Sequence, residues 1–340
     1  MQIRKHVMYR FIGSVRFSVI ARFASAGFVA LAAVLVSGCF NYVQMSLMPP
    51  AESAINLEKV QLYTNATDSR NIGNVLLIPV EGEIVNNLEP GAVYPGRIER
   101  LFQAAADDSI DAILVKVNSP GGSAFASDTL YRMIENFGKQ KNAPVFVHID
   151  GLGASGGYYV AMAGSNVNAS PVSLVGSIGV IIRTFGVLGL MDKVGVEYRS
   201  VKSGKNKDIL SPFAEITDEQ KQSLQKQINA NYETFLTVIR NSRKSRISDE
   251  LLRKIADGNI YDAAEAKKFG LIDSTLYVED YLSEIGRQLN VSKVNVYSYL
   301  PQGRKDYNIY NTGMLPSVSP EAKLMRMVRS GIYYIYEGGL

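Results

Sequence analysis

Two short apolar runs in this chain break in the same way. "DAILVKVNSPGG" (111–122) is strand-like and stops at Pro120-Gly121-Gly122. "APVFVHI" (143–149) leads into "DGLGASGG", after which "YYVAMA" resumes as a helix. A strand closed by a glycine turn and reopened as a helix, twice in succession, is the alternation of an α/β protein with parallel strands. "NVLLIPVEGEIV" (74–85) supplies a first core strand, residues 96–107 a helix, and "SDTLYRMIENFGK" carries apolar residues at helical spacing.

Downstream, the helices are punctuated by regular caps. "TDEQKQSLQKQINANYETFLTVIRNSRK" opens on a capping box, Thr217 with Gln220. "SDELLRKIADG" starts at Ser248 and ends at Gly258, and "DAAEAKKFG" runs from Asp262 to Gly270. Residues 74–290 therefore read as one domain. Residues 39–73, polar and irregular with Pro49 and Pro50, read as a tether, and 291–340 as a C-terminal extension. Its end, "KLMRMVRSGIYYIYEGGL", reads as a packed terminus in preference to an amphipathic surface helix.

With 340 residues and a 46% hydrophobic fraction, the chain can bury a sizeable core. The net charge of +4 is concentrated at the start, where residues 1–38 hold Arg4, Lys5, Arg10, Arg16 and Arg22 and no acid. The remainder is close to neutral and lacks the basic footprint of a nucleic-acid binder. Residues 1–38 read as a signal peptide or an N-terminal membrane anchor. The apolar run "FASAGFVALAAVLVSGC" is short for a span of ~20 residues and ends in "LVSGC", which resembles the lipobox of bacterial lipoproteins. On that reading Cys39 is lipidated; on the other, the segment stays as a helix. Both tether the body to a membrane in the bacterial cell envelope, facing the periplasm or the cell exterior.

Cys39 is the only cysteine, and His6 and His148 are the only histidines, so neither a disulfide, a thiol nucleophile nor a His-based zinc site is expected, and no cofactor is called for. Attention falls on Ser155. One glycine turn alone reads as an ordinary tight turn with a serine cap. Two together suggest paired backbone N–H groups aimed at a developing oxyanion, Gly122 from the first turn and the amide beside Ser155 from the second. Serine needs a base to take its proton. His148, inside an alternating strand, reads as a satisfied sheet residue. Lysine is the remaining choice, as in Ser–Lys variants of the triad. It must shed its own proton, which calls for a dry pocket with no carboxylate partner. Lys202, Lys205 and Lys207 in "SVKSGKNKDILSPF" are the candidates, and Lys207, followed by an apolar run, is the one best placed to point inward.

"VNSPGGSAFASDTLY", "ASGGYYVAMAG", "LVGSIGVI", "KSGKNKDILSPFAEIT" and "IADGNIYDAAEAKKFGLID", in this order over about residues 75–285, resemble the signal peptide peptidase A family of Ser–Lys peptidases. The resemblance implies Ser155 as nucleophile, Lys207 as general base, Gly122 and Gly156 as oxyanion-hole donors, and Ser177 as the serine that orients the lysine amine. It implies a Clp protease/crotonase-like α/β fold, a spiral of β-α units, in the short single-copy form. It further implies a homo-oligomeric ring in which serine and lysine meet from neighbouring protomers, with pockets for small or aliphatic side chains of cleaved signal peptides. Two competing readings are a non-catalytic envelope scaffold of the same fold and a crotonase-type acyl-CoA enzyme; the latter fits an exported protein poorly.

Overall fold

The computed structural model describes residues 56–65, 71–89, 91–313 and 331–336. The leader, Cys39 and the first part of the tether lie outside the described residues. In chain order, the strands are β1 (Leu57–Thr64), β2 (Ile72–Glu81), β3 (Glu83–Ile84), β4 (Ala92–Val93), β5 (Ala112–Ser119), β6 (Gly121–Ser123) and β7 (Val145–Ala154). They continue with β8 (Asn166–Ala169), β9 (Leu174–Gly176), β10 (Ile181–Arg183), β11 (Ile260–Asp262), β12 (Ser274–Thr275), β13 (Lys293–Pro301) and β14 (Gly331–Ile335). The helices are α1 (Pro95–Ala104), α2 (Ala124–Lys141), α3 (Gly156–Ala161) and α4 (Leu188–Val194). After them come α5 (Asp218–Arg243), α6 (Asp249–Ile255), α7 (Ala263–Lys268) and α8 (Val278–Gln288).

The main sheet runs β1-β13-β2-β5-β7-β8-β12, with β9 paired to β7 and β11 to β9. From β13 to β12 every neighbouring pair is parallel, and β1 joins antiparallel at the edge. Parallel strands covered on both faces read as continuous apolar runs. β5 shows why: Ile113, Val115 and Val117 face one core, packed with residues of α1, α2, α3 and α5. Ala112 and Leu114 face a second core, closed by Val278, Tyr281, Leu282 and Ile285 of α8. The expected helix caps are present: Thr217 and Gln220 form the capping box of α5, and Ser248 and Asp262 cap α6 and α7.

The sheet corrects the expected boundaries. β1 falls inside the segment read as tether, and β13 lies within the C-terminal extension, yet the two pair with each other and β13 pairs with β2. The folded unit therefore begins at Leu57 rather than at residue 74. A short strand of mixed polarity gives no signal of its own partner, because its pairing is made across more than two hundred residues of chain.

A second sheet, β10-β14-β6-β3-β4, sits at the glycine turn that ends β5. Beyond it the chain changes character. From Gly179 to Glu219 no residue is buried, although Ile181, Phe185, Leu190, Val194, Val196, Tyr198, Val201 and Phe213 are large and apolar. Among the described residues, no helix is long and apolar enough to cross a membrane.

Candidate active site

The site is built where β5 and β7 end. Ser119 closes β5, and its buried hydroxyl donates to the Gly82 carbonyl at 2.6 Å while accepting the Gly121 N–H at 3.1 Å. This pins the first glycine turn. Gly121 has φ 91°, and a methyl group there would stand 2.5 Å from the Gly156 amide nitrogen. Only glycine lets the two turns approach so closely. Gly122 is equally constrained by packing: a methyl group would be 2.0 Å from the Ile84 carbonyl oxygen.

Ser155 stands at the joint between β7 and α3 and is 1% exposed. Its φ of 51° with ψ −115° is a conformation that side-chain-bearing residues rarely adopt. Its N–H donates to the Gly176 carbonyl at 2.7 Å, and its carbonyl accepts the Tyr159 N–H at 2.8 Å. The hydroxyl caps nothing and has no hydrogen bond among the described residues. The backbone is thus fixed in an unfavourable geometry while the side chain is left free. The next amide, Gly156 N–H, belongs to the first turn of α3, which provides no intrahelical acceptor.

Ser177 comes to the same place. β9 pairs with β7 through Ala154↔Gly176, so Ser155 and Ser177 each stand one residue beyond a paired position. Ser177 is also buried with positive φ, 48°, and its N–H donates to the Asn259 carbonyl at 2.6 Å. Ser155, Ser177, Gly122 and Gly156 are therefore neighbours.

Lys207 is not brought to them within one chain. Within one chain it does not point inward as expected: it is exposed, in the stretch after α4 that buries nothing. The apolar residues after it, Ile209 and Leu210, are only half-buried and supply no pocket. The three lysines still differ. Lys202 pairs with Asp208 at 2.6 Å and Lys205 with Glu219 at 2.6 Å. Lys207 alone of the three has no carboxylate or hydrogen-bond partner for its amine among the described residues.

His148 is fully buried in β7, with Nδ1 2.7 Å from the Asn168 side-chain nitrogen and Nε2 3.3 Å from Ser170 Oγ. Asn168 donates to Nδ1, so Nε2 carries the proton and donates to Ser170. Desolvation pushes the imidazole pKa down to about 4, against the opposing charge of Asp150. It is a neutral, satisfied sheet residue, as its alternating context predicts. Sequence reasoning missed Ser119, whose only signal is its place immediately before Pro120-Gly121-Gly122.

Residues 138–292 match the family model "Peptidase family S49". A protein of Synechocystis named as a candidate protease is 32% identical over 56% of this chain and 68% of its own length. The chain belongs to peptidase family S49. A candidate protease of Methanocaldococcus jannaschii is 42% identical over 59% of this chain and 64% of its own length. A candidate signal peptide peptidase of Enterococcus faecium is 30% identical over 59% of this chain and 58% of its own length. The chain thus spans less than two thirds of the length of these last two relatives. A solved structure, a mutant of a membrane-bound stomatin-specific protease, is similar with a TM-score of 0.40 at 17% identity, covering 64% of this chain and 85% of that one. The S49 family is one of serine-type peptidases, and its Clp protease-like α/β fold agrees with the parallel sheet described above.

Proposed function

We propose that this chain is a membrane-tethered serine endopeptidase in which Ser155 is the nucleophile and Lys207, delivered by a neighbouring protomer, is the general base. The observation that carries the reading is Ser155 itself: a strained, buried serine with an unengaged hydroxyl, set beside two glycine turns in a family of serine peptidases. Strain of this kind in a non-glycine residue clusters at active sites. That no carboxylate pairs with the Lys207 amine among the described residues supports its part, because a paired lysine would hold its proton. The apolar, unburied stretch around Lys207 supports an oligomer, since contiguous exposed apolar surface is characteristic of association sites.

In the proposed cycle Ser155 Oγ attacks a peptide carbonyl carbon as its proton passes to the lysine amine. The carbonyl oxygen becomes an oxyanion and takes hydrogen bonds from the Gly122 and Gly156 N–H groups. Collapse breaks the C–N bond, and the lysine ammonium returns its proton to the departing amine. Water, deprotonated by the same lysine, then hydrolyses the acyl-serine ester and frees Ser155. Ser177 orients the amine. Removing one oxyanion donor of this kind costs about 10²–10³ in kcat elsewhere. The substrates proposed are cleaved signal peptides or other short extracytoplasmic peptides, with the leader or a lipidated Cys39 as tether.

The test is covalent labelling by a serine-reactive phosphonate, read by intact mass. Wild-type protein is expected to gain one adduct per chain and Ser155→Ala none. Equal labelling of the two would remove Ser155 as the nucleophile.

A further inference from the structure

The central strands are apolar on both faces until they near their ends. On β5, Ala112 and Leu114 face the core closed by α8, and Lys116 follows them on the same side. It stands level with His148 on β7, whose ring stacks on Tyr281 of α8. Lys116 is 3% exposed and lies across the sheet from α3, which packs in the other core. Lysine is almost never buried this deeply unless it is paired.

Three oxygens from three parts of the chain surround its ammonium. Glu81 Oε1, at the end of β2, and Asp150 Oδ2, on β7, form ion pairs with it at 3.2 Å each. The amine also donates to the Tyr310 carbonyl at 3.3 Å, in the segment that follows β13. The second oxygen of the Glu81 carboxylate accepts the Thr312 hydroxyl at 2.6 Å, both residues being buried. That segment is firmly seated: Ile309 is buried, and its N–H donates to the Leu62 carbonyl of β1 at 3.1 Å.

Stability alone does not call for such a cluster. Desolvation offsets most of the attraction in a buried ion pair, and apolar residues of like size often do as well. What charges supply is a fixed cross-link, and here it falls where the sheet ladder lapses. The β5–β7 register shifts between Val117 and Ser119, Gly151 takes φ 99°, and β2 ends at Glu81. Beyond these points each strand feeds one part of the proposed site. After Glu81, the Gly82 N–H donates to the Asn118 carbonyl at 2.9 Å, and the Gly82 carbonyl takes the Ser119 hydroxyl that pins the first glycine turn. After Asp150, the Gly151 N–H donates to Ser173 Oγ at 3.0 Å, and β7 runs on to Ser155.

We propose that Lys116 is a positioning residue for peptide cleavage: from the far face of the sheet its amine braces the ends of β2, β5 and β7, and so sets the first glycine turn against Ser155. Tyr310 and Thr312 make the segment after β13 a part of the same brace. Lys116 makes no hydrogen bond to the Ser155 hydroxyl, so its part is separate from that of the general base. The inference rests on the peptidase reading of Ser155.

The test uses the full-length protein and a fluorogenic peptide. Asp150→Asn and Thr312→Val each remove one arm of the brace and keep nearly the same side-chain shape; kcat should fall severalfold in both with KM little changed. Lys116→Met should lose between about tenfold and a hundredfold in kcat, the scale on which remote mispositioning acts. It should also melt earlier, because two carboxylates lose their cation. Adding Glu81→Gln and Asp150→Asn to Lys116→Met removes those charges; the melting temperature should return while kcat stays low. Recovery of kcat along with the melting temperature, or an unchanged kcat in both Asp150→Asn and Thr312→Val, would overturn the proposal. Hydrogen exchange in Ser155→Ala separates the brace from the peptidase reading. Amides 82, 121 and 151 should exchange faster once Asp150→Asn or Thr312→Val is added. If no peptide is cut and those amides still respond, the peptidase reading fails while the brace stands; unaltered exchange sinks the brace whether or not peptides are cut.

Discussion

Ser119 is the residue on which the geometry of the first glycine turn, the proposed oxyanion side of the site, depends. Its hydroxyl ties the Gly121 amide to Gly82, on the far side of the turn. Ser119→Ala should cost about 1–3 kcal/mol, the price of leaving a buried group unmet. It should also lower kcat with little change in KM, because a loosened turn misplaces the Gly122 N–H more in the transition state than in the ground state. Thermal denaturation and steady-state kinetics together check this; a fall in stability with kcat intact would make Ser119 merely structural. Much of the site is legible at this scale. Ser155 and the glycine turns announce themselves because glycine is needed where backbones nearly touch. Ser177 is legible only by resemblance, since nothing local in "LVGSIGVI" says that β9 will run beside β7.

β7 leads into the candidate nucleophile at its end and carries His148 in its middle, and only the histidine ties stability to pH. The folded state holds His148 neutral with its pKa depressed to about 4, whereas the ordinary value is 6.5. Between those values the unfolded chain binds a proton that the native protein does not, so stability rises with pH across that window and is lost as pH falls through it. The slope from this one group approaches about 1.4 kcal/mol per pH unit at most. His148→Gln should flatten the dependence of the urea midpoint between pH 4 and 6.5, while the wild type declines steadily. At the same scale, the capped helices and the core strands β2, β5 and β7 follow from periodicity and turn residues. β1, β13 and β14 do not, because an edge or late-joining strand is defined by partners far away in sequence. "GIYYIY" reads as part of a packed terminus, but what it packs against is not legible until β6 and β10 are seen on either side of it.

For the molecule as a whole, the decisive feature is the stretch from Gly179 to Glu219 that buries nothing and carries Lys207. If serine and lysine of one site come from two chains, two inactive proteins can repair each other. Ser155→Ala and Lys207→Ala, each silent alone, should regain peptide cleavage when unfolded together and refolded as mixed assemblies. A mixture as inactive as its components would return both groups to one chain. An unburied, apolar arm also has a consequence for timing. A newly made copy, still solitary, would possess a poised hydroxyl but nothing to take its hydrogen. On the proposed two-chain site, cutting would then begin only once enough copies had gathered, which would make crowding a safeguard against premature digestion.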